Sequence, residues 1–201
     1  MPRGDRFPAL ENLLPNLCAD RIDYNIQGAY YQGFITYEEA LAILHDLQFS
    51  DTTWVSTNSD LMKKLIRFSL FMTEDCWGSA TNYVTSRWLA DAILRGMQLG
   101  TITHEELHFG TDQEVWDKLL RHNDPIIRRN MQKVIEPHPH FALVDFTEGD
   151  MIVKSKFRGI DPLVFTETEC IRMTSLDAAL AEEYNEVKKR VQKGWPIKLL
   201  R

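Results

Sequence analysis

The sequence has neither an excess of positive charge nor a long apolar run, and each absence excludes a class of protein. Asp and Glu number 29 against 23 Lys and Arg, so the formal net charge is −6 and no overall positive field attracts nucleic acid. No stretch reaches the ~18 consecutive apolar residues of a membrane span. Internal repeats and low-complexity segments are also absent. We therefore expect no membrane partner and no strong nucleic-acid partner.

Cysteine is scarce. Cys18, Cys76 and Cys170 lie far apart and form no CxxC pair. This spacing favours free thiols, which are typical of a reducing compartment. Residues 1–8 carry no apolar signal segment. Together these features predict a cytoplasmic protein.

Helix-start signals are plentiful. Hydrophobic residues make up 44% of the 201 residues, enough for the core of one domain with a small appendage. A threonine followed three residues later by glutamate forms a capping box, and such boxes occur at Thr36, Thr103 and Thr111. Asp124-Pro125 predicts another helix start, with Asp at the N-cap and Pro at the first position. The helix after it carries Arg128, Arg129 and Lys133, either as a basic face or as an ordinary solvated one.

Two long apolar patterns occupy the middle of the chain. One runs from about Asp60 to Asp75, and the other continues to about Leu99 after a break at Trp77-Gly78-Ser79. We expect them to form a central helical hairpin. The β-branched stretch Asp51–Thr57 predicts a short strand before them.

From Phe141 the pattern changes from helical to extended. Phe141–Phe146 and Met151–Phe157 predict a β-hairpin, and further strands are expected at Leu163–Thr166 and Cys170–Met173. We expect Thr174 or Ser175 to cap a last helix that ends at Lys193, before a closing strand at Trp195–Leu200. The whole pattern predicts a mainly α fold with a small α+β C-terminal module, divided into residues 1–136 and 137–201.

The stretch Leu14–Gln27 is the most informative part of the sequence. With Pro15 in the first turn, it predicts a helix on which Asp20, Asp23, Tyr24 and Gln27 share one face. Two short acids and a phenol are unusual on such a face, and carboxylates are good metal ligands. The alternative is two solvated acids on an ordinary amphipathic helix.

This stretch resembles a known family. Leu-Pro-x-Leu followed by Ala-Asp-Arg-Ile-Asp-Tyr, residues 14–24, resembles the last signature of the HD-domain phosphohydrolases. The resemblance implies an HD-like helical body over residues 1–136 and a divalent metal such as Mn²⁺, Fe²⁺ or Mg²⁺ that activates water against a phosphoester. It implies that Asp20 is a metal ligand and that Tyr24 lies beside the substrate phosphates. Related members often carry an acid where this chain has Gly28.

A second cluster lies at Lys156-Phe-Arg-Gly-Ile-Asp-Pro162, where two cations precede a glycine turn. It resembles a motif in the C-terminal parts of some bacterial HD-domain proteins. Lys156 and Arg158 are therefore candidates, with Tyr24, for binding a phosphorylated small molecule or nucleotide. The alternative is edge-strand cations that deter aggregation.

The order of the motifs limits the expected activity. The family's other ligands, a His and a His-Asp doublet, precede the final Asp, but the 19 residues before Asp20 contain no His. The doublet His45-Asp46 follows Asp20 and is interpreted as chance. We expect the C-terminal part of a phosphohydrolase, whose catalytic residues stay unassigned and whose isolated chain neither holds metal tightly nor hydrolyses phosphoesters. The alternative is a non-catalytic helical binding protein derived from the HD scaffold. Whether the chain is a truncated fragment and whether it forms a homo-oligomer stay open.

His104-Glu-Glu-Leu-His108 matches the HExxH pattern of zinc metalloproteases. The capping box at Thr103 and the glycines at 100 and 110 leave room for about two helical turns, and no third ligand is specified. We interpret the segment as a capped connector, with a zinc protease as the less favoured alternative.

Overall fold

The computed structural model describes residues 7–200, so the expectation about the N-terminal signal region lies partly outside the described residues. Over the described residues the fold is mainly α with a small α+β part, as predicted. The chain divides into two compact units. Unit 1 is Met1–Gly78 with Ser155–Lys193, and unit 2 is Ser79–Lys154 with Gly194–Arg201. Each unit thus takes residues from both sides of the boundary expected at residue 136.

Unit 1 contains five α-helices, one π-helical turn and a four-stranded sheet among its described residues. The helices are α1 (Ala19–Tyr31), α2 (Tyr37–Asp46), α3 (Ser59–Phe71), α8 (Met173–Leu176) and α9 (Ala178–Lys193), and the π-helical turn is Met72–Cys76. The strands are β1 (Gln48–Ser50), β2 (Thr53–Ser56), β5 (Leu163–Phe165) and β6 (Cys170–Arg172). The sheet order is β1-β2-β5-β6, in which β2 and β5 are parallel and the other pairs are antiparallel.

The core of unit 1 is built around α3. This helix is buried around more than one side, through Leu61, Met62, Leu65, Ile66, Phe68 and Leu70. Asn58 starts the helix by accepting a hydrogen bond from the Leu61 amide at 3.1 Å. The capping box at Thr36 and Glu39 forms as predicted and starts α2.

Unit 2 contains four described α-helices and a three-stranded sheet. The helices are α4 (Ala80–Gln98), α5 (His104–Phe109), α6 (Asp112–Arg121) and α7 (Pro125–Ile135), and a 3-10 turn covers His138–His140. The strands are β3 (Phe141–Leu143), β4 (Met151–Val153) and β7 (Trp195–Leu199). The predicted caps at Thr103, Thr111 and Asp124 all form.

Unit 2 buries two clusters along α4. One combines α4 with the sheet through Val84, Trp88, Phe141, Val153 and Ile197. The other combines α4 with α6 and α7 and is formed by Ala92, Ile102, Val115, Leu119, Ile127 and Met131. One face of α4 therefore packs on strands while another packs on helices.

The predicted β-hairpin is wrong in its pairing. The strands β3 and β4 begin where expected but end early, at Leu143 and Val153, and β7 lies between them and pairs antiparallel with both. Ile197 is fully buried and lies opposite Leu143 on one side and Met151 on the other. The closing strand therefore supplies the centre of the sheet.

Three other local predictions need correction. Pro15 follows a cis peptide bond and precedes α1, which starts at Ala19 with Cys18 at its N-cap. The last helix is capped by Asp177, whose carboxylate accepts a hydrogen bond from the Leu180 amide at 3.0 Å, and not by Thr174 or Ser175. The helices α3 and α4, expected as one hairpin, belong to different units.

The predictions about the cysteines and about membrane-spanning segments can also be compared with the structure. None of the three cysteines forms a disulfide bond, as expected. Among residues 7–200, no helix combines the length and the apolar character that crossing a membrane would need.

Candidate functional site

The exposed face of α1 carries the residues expected to share it. Asp20, Asp23 and Gln27 are exposed and Tyr24 is half-buried, while Ile22, Ile26 and Ala29 lie in the core. Gln27 donates a hydrogen bond to the Asp23 carboxylate at 2.5 Å. Asp20 lies in the first turn, where a negative charge interacts favourably with the helix dipole.

Tyr24 connects α1 to the segment after the π-helical turn. Its ring meets Trp77 edge to face, with centroids 5.2 Å apart and planes at 85°. Burial raises the pKa of Tyr24; the charges of Arg21 and Arg158 lower it, and that of Asp20 raises it. The charges of Asp20 and Arg158 therefore both act on the Tyr24 hydroxyl.

The segment Ser155–Pro162, here called the cationic loop, is fixed by its backbone. The Arg158 amide donates to Thr73 Oγ1 at 2.8 Å, and the Ile160 amide donates to Ser69 Oγ at 3.1 Å. The Tyr184 hydroxyl donates to the Gly159 carbonyl at 3.1 Å. The loop is therefore held against α3, the π-helical turn and α9, although it contains no regular secondary structure.

Asp161 joins the cationic loop to the start of the signature stretch. Its amide donates to the Pro15 carbonyl at 3.0 Å. Its buried carboxylate accepts hydrogen bonds from the Thr174 amide at 3.1 Å and the Thr174 hydroxyl at 2.7 Å. Arg172 donates both to the Asp161 carbonyl, at 2.6 Å, and to the Asn16 side chain. Two motifs separated by more than a hundred residues in the sequence are thus bonded to each other.

The side chains of the cationic loop alternate in direction. Lys156 and Arg158 are exposed, whereas Phe157 packs on Tyr184 with ring centroids 5.2 Å apart. Among residues 7–200, no hydrogen bond or ion pair holds the side chain of Lys156 or Arg158. Both cations are therefore available to an anion on a backbone that is already fixed.

Glycines allow two close approaches near this site. A Cβ at Gly28 would lie 2.5 Å from the Phe68 ring, so the space that an acid would need at this position is filled by the core of unit 1. A Cβ at Gly78 would overlap the Thr73 carbonyl oxygen and approach Ser155 Oγ. Gly78 therefore permits the contact between the π-helical turn and the cationic loop.

The residues around Asp20 do not complete a metal site. Within residues 7–200, no group of three His, Cys, Asp or Glu side chains is arranged to hold a metal ion. A divalent cation usually takes several such ligands, so Asp20 alone does not fit a resident metal.

Asp46 of the His45-Asp46 doublet has a structural role. Its carboxylate accepts hydrogen bonds from the amide of Thr57, at 2.9 Å, and that of Asn58, at 3.2 Å, and from the hydroxyls of Ser56 and Thr57. Burial raises the pKa of Asp46, but these hydrogen bonds outweigh it and the net pKa is lowered. Asp46 of the doublet therefore joins α2 to the entry of α3.

The HExxH segment forms a short capped connector. His104 and His108 are exposed on α5, which has only six residues. Glu106 closes the capping box with Thr103 and forms an ion pair with Lys118. With no three-residue ligand cluster in the described part of the chain, this segment does not fit a catalytic zinc site.

Several residues that build the site escaped sequence reasoning. Ser69, Thr73, Tyr184 and Arg172 anchor the cationic loop. For Ser69, the only indication in the sequence is a hydroxyl among the apolar residues of α3. Asn25 is fully buried on α1, where its amide donates to the Arg21 carbonyl at 2.8 Å.

Comparison with known proteins finds distant similarity. No protein-family model matches the chain. The uncharacterized protein YdhJ of Bacillus subtilis is 25% identical over 197 residues, covering 98% of this chain and 59% of YdhJ. The metal-dependent phosphohydrolase cns2 of Cordyceps militaris is 25% identical over 134 residues, covering 64% of this chain and 39% of cns2. The chain thus spans less than two thirds of the length of either relative. It is distantly similar to a protein named as a metal-dependent phosphohydrolase.

Proposed function

We propose that this chain is part of a metal-dependent phosphohydrolase of the HD type and that unit 1 binds the phosphate of its substrate. The substrate is a nucleotide or another phosphorylated small molecule. Tyr24, Lys156 and Arg158 are the proposed phosphate-binding residues, and Asp20 is the proposed metal ligand.

The observation that carries this proposal is the bonded contact between the two motifs. The Asp161 amide donates to the Pro15 carbonyl, and Arg172 bridges Asn16 and the Asp161 carbonyl. These bonds fix the cationic loop beside the start of α1. Because the backbone that carries the cations is already fixed, it loses little conformational freedom on binding, which favours recognition of an anion.

The side chains present suit a phosphate group. The guanidinium of Arg158 can donate two parallel hydrogen bonds to phosphate oxygens, and the ammonium of Lys156 adds a mobile positive charge. The Tyr24 hydroxyl is protonated near neutral pH, since burial raises its pKa further above the ordinary 10.0, and it can donate a third hydrogen bond. The three groups would together offer a phosphate positive charge and hydrogen-bond donors.

A divalent metal, when bound, would polarise the phosphoester and lower the pKa of a bound water. The described residues supply only Asp20 towards such a site, so we derive no catalytic step through the metal. The similarity to a protein named as a metal-dependent phosphohydrolase supports the assignment of the reaction class.

The test is calorimetric titration of the chain with ATP without added divalent metal. Each of Lys156→Gln and Arg158→Gln is expected to weaken ATP binding about tenfold or more, since a hydrogen bond to a charged group contributes ~1.5–3 kcal/mol. Lys188→Gln is the matched control, because Lys188 is exposed on α9 of the same unit and forms no ion pair with the other described residues.

Three outcomes are distinguishable. Weakened binding in both loop variants with an unchanged Lys188→Gln variant supports the proposal. Equal affinity in all four proteins, or equal weakening in all three variants, contradicts it. Phosphate release from ATP with added Mn²⁺ then separates an active hydrolase from a protein that only binds.

A further inference from the structure

The basic face of α7 is the second concentration of cations in the molecule. Arg129 and Lys133 are four residues apart on α7 and therefore lie on one side of the helix. Among residues 7–200, neither side chain forms an ion pair, whereas the neighbouring helix α6 neutralises Arg121 with Asp117 at 3.0 Å. In a chain with a net charge of −6, this leaves a local excess of unpaired positive charge.

These cations open onto a cavity within unit 2. The cavity has a volume of about 640 Å³ and is lined by Arg129, Lys133, His140, Asp150, Leu199 and Leu200. Cavities of roughly 300–1,000 Å³ hold cofactor-sized or drug-sized ligands. The cavity therefore has room for a small molecule with both a charged and an apolar part.

Trp88 positions two of the lining groups. The Lys133 ammonium lies over the Trp88 ring, 5.4 Å from its centroid. The His140 ring meets the same indole edge to face, with centroids 6.2 Å apart and planes at 84°. Trp88 itself is buried in the core of unit 2, so it provides a fixed surface against which the cation and the imidazole are held.

Within residues 7–200, Asp150 is the one acidic side chain that lines this cavity. Its carboxylate accepts a hydrogen bond from the Leu199 amide at 2.8 Å, which fixes it at the end of the β4–β7 sheet region. A fixed carboxylate next to two cations suits a ligand that carries hydroxyl donors beside its negative charge. A bare inorganic anion would use the cations alone.

We propose that this cavity binds a phosphorylated small molecule with free hydroxyl groups, such as a nucleotide or a sugar phosphate. Arg129 and Lys133 bind the phosphate oxygens, His140 adds a hydrogen bond, and Asp150 accepts from a hydroxyl. The site lies in unit 2 and shares no residue with the phosphate site proposed in unit 1. The net negative charge of the chain favours a small anion over a nucleic acid.

The test is a titration of the full chain with ATP, with ribose 5-phosphate and with inorganic phosphate, in the Lys156→Gln/Arg158→Gln background so that the unit 1 site is removed. Adding Arg129→Gln is expected to weaken the binding of ATP and ribose 5-phosphate about tenfold. Arg128→Gln is the matched control, because Arg128 is an exposed arginine next to Arg129 that does not line this cavity. Asp150→Asn is expected to weaken ribose 5-phosphate binding but to leave phosphate binding unchanged or stronger.

The outcomes separate this site from a diffuse basic surface. Loss of affinity with Arg129→Gln and not with Arg128→Gln supports the site. Equal loss with both variants, saturable binding only to single-stranded RNA, or no saturable binding of the three ligands overturns it. Quenching of Trp88 fluorescence on binding, absent in a Trp88→Phe variant that keeps its thermal transition, gives a second readout. Because the unit 1 variants are tested separately, failure here leaves the unit 1 proposal unaffected.

Discussion

Tyr184→Phe tests how the cationic loop is held. The substitution removes one hydroxyl and keeps the ring that packs on Phe157. The Gly159 carbonyl then loses the donor at 3.1 Å in a buried environment. A lost hydrogen bond of this kind costs ~1 kcal/mol, so the variant should be about that much less stable than the wild type at pH 7.

Because of the same hydroxyl, we expect the difference in the free energy of unfolding between wild type and Tyr184→Phe to change sign at high pH. Burial and the charge of Asp161 raise the pKa of Tyr184 from 10.0 to about 12, against a smaller opposite effect of Arg172. The unfolded chain then loses this proton before the folded chain does, so the stability conferred by protonated Tyr184 is present below pH 10 and falls between the two pKa values. At about pH 11 the loss reaches ~1.4 kcal/mol, because deprotonation of this tyrosine in the unfolded chain raises the equilibrium constant of unfolding about tenfold. The Tyr184→Phe variant has no hydroxyl to ionise at this position, so its stability does not fall in this way.

The assay is urea unfolding of both proteins at several pH values from 7 to 11. The free-energy difference between wild type and Tyr184→Phe should shrink above pH 10 and vanish or reverse near pH 11. Tyr31→Phe is the control, since Tyr31 is 79% exposed and should give a difference near zero throughout. A difference for Tyr184→Phe that stays constant from pH 7 to 11 would refute the buried hydrogen bond to Gly159.

The remaining predictions concern the scaffold around the two sites. Asp46→Ala removes the acceptor of several hydrogen bonds and should destabilise the fold by ~2–3 kcal/mol at pH 7. Because the pKa of Asp46 is lowered from 3.8, the urea unfolding curves of wild type and variant should converge as the pH falls below that value. Curves that stay apart at low pH would contradict the role assigned to the Asp46 carboxylate. Gly28→Ala should destabilise by ~1–3 kcal/mol through overlap with the Phe68 ring, and a gain of stability, usual for Gly→Ala in a helix, would exclude that contact. Thr111→Ala should cost ~1 kcal/mol in thermal unfolding through the lost cap of α6, whereas Thr111→Ser should cost much less, and equal losses would rule out capping.

Local chemistry explains which parts of the fold were predictable. The capping boxes at Thr36, Thr103 and Thr111 depend on residues three apart, so the sequence contains everything needed to recognise them. The order of strands in a sheet, by contrast, depends on residues that are far apart in the sequence. The strand β7 separates β3 from β4 because the chain returns after α9, and nothing in the two outer strands signals that insertion.

In the candidate site too, some features follow from the sequence and others do not. The shared face of Asp20 and Tyr24 follows from helix periodicity, whereas Lys156 and Arg158 are exposed on a loop and not on the strand that the sequence predicted up to Phe157. The bond from the Asp161 amide to the Pro15 carbonyl joins backbone atoms, which no side-chain pattern encodes. The sequence could therefore suggest the members of the site but not the contact that assembles them.

A structure of the chain crystallised with pyrophosphate, without added metal, tests the central claim most directly. The account predicts a pyrophosphate in unit 1 within hydrogen-bond distance of the Arg158 guanidinium, with the Tyr24 hydroxyl or the Lys156 ammonium as a second donor. Pyrophosphate found only against Arg129 and Lys133, or bound nowhere on the cationic loop at saturating concentration, would contradict the claim that the two motifs form one phosphate site.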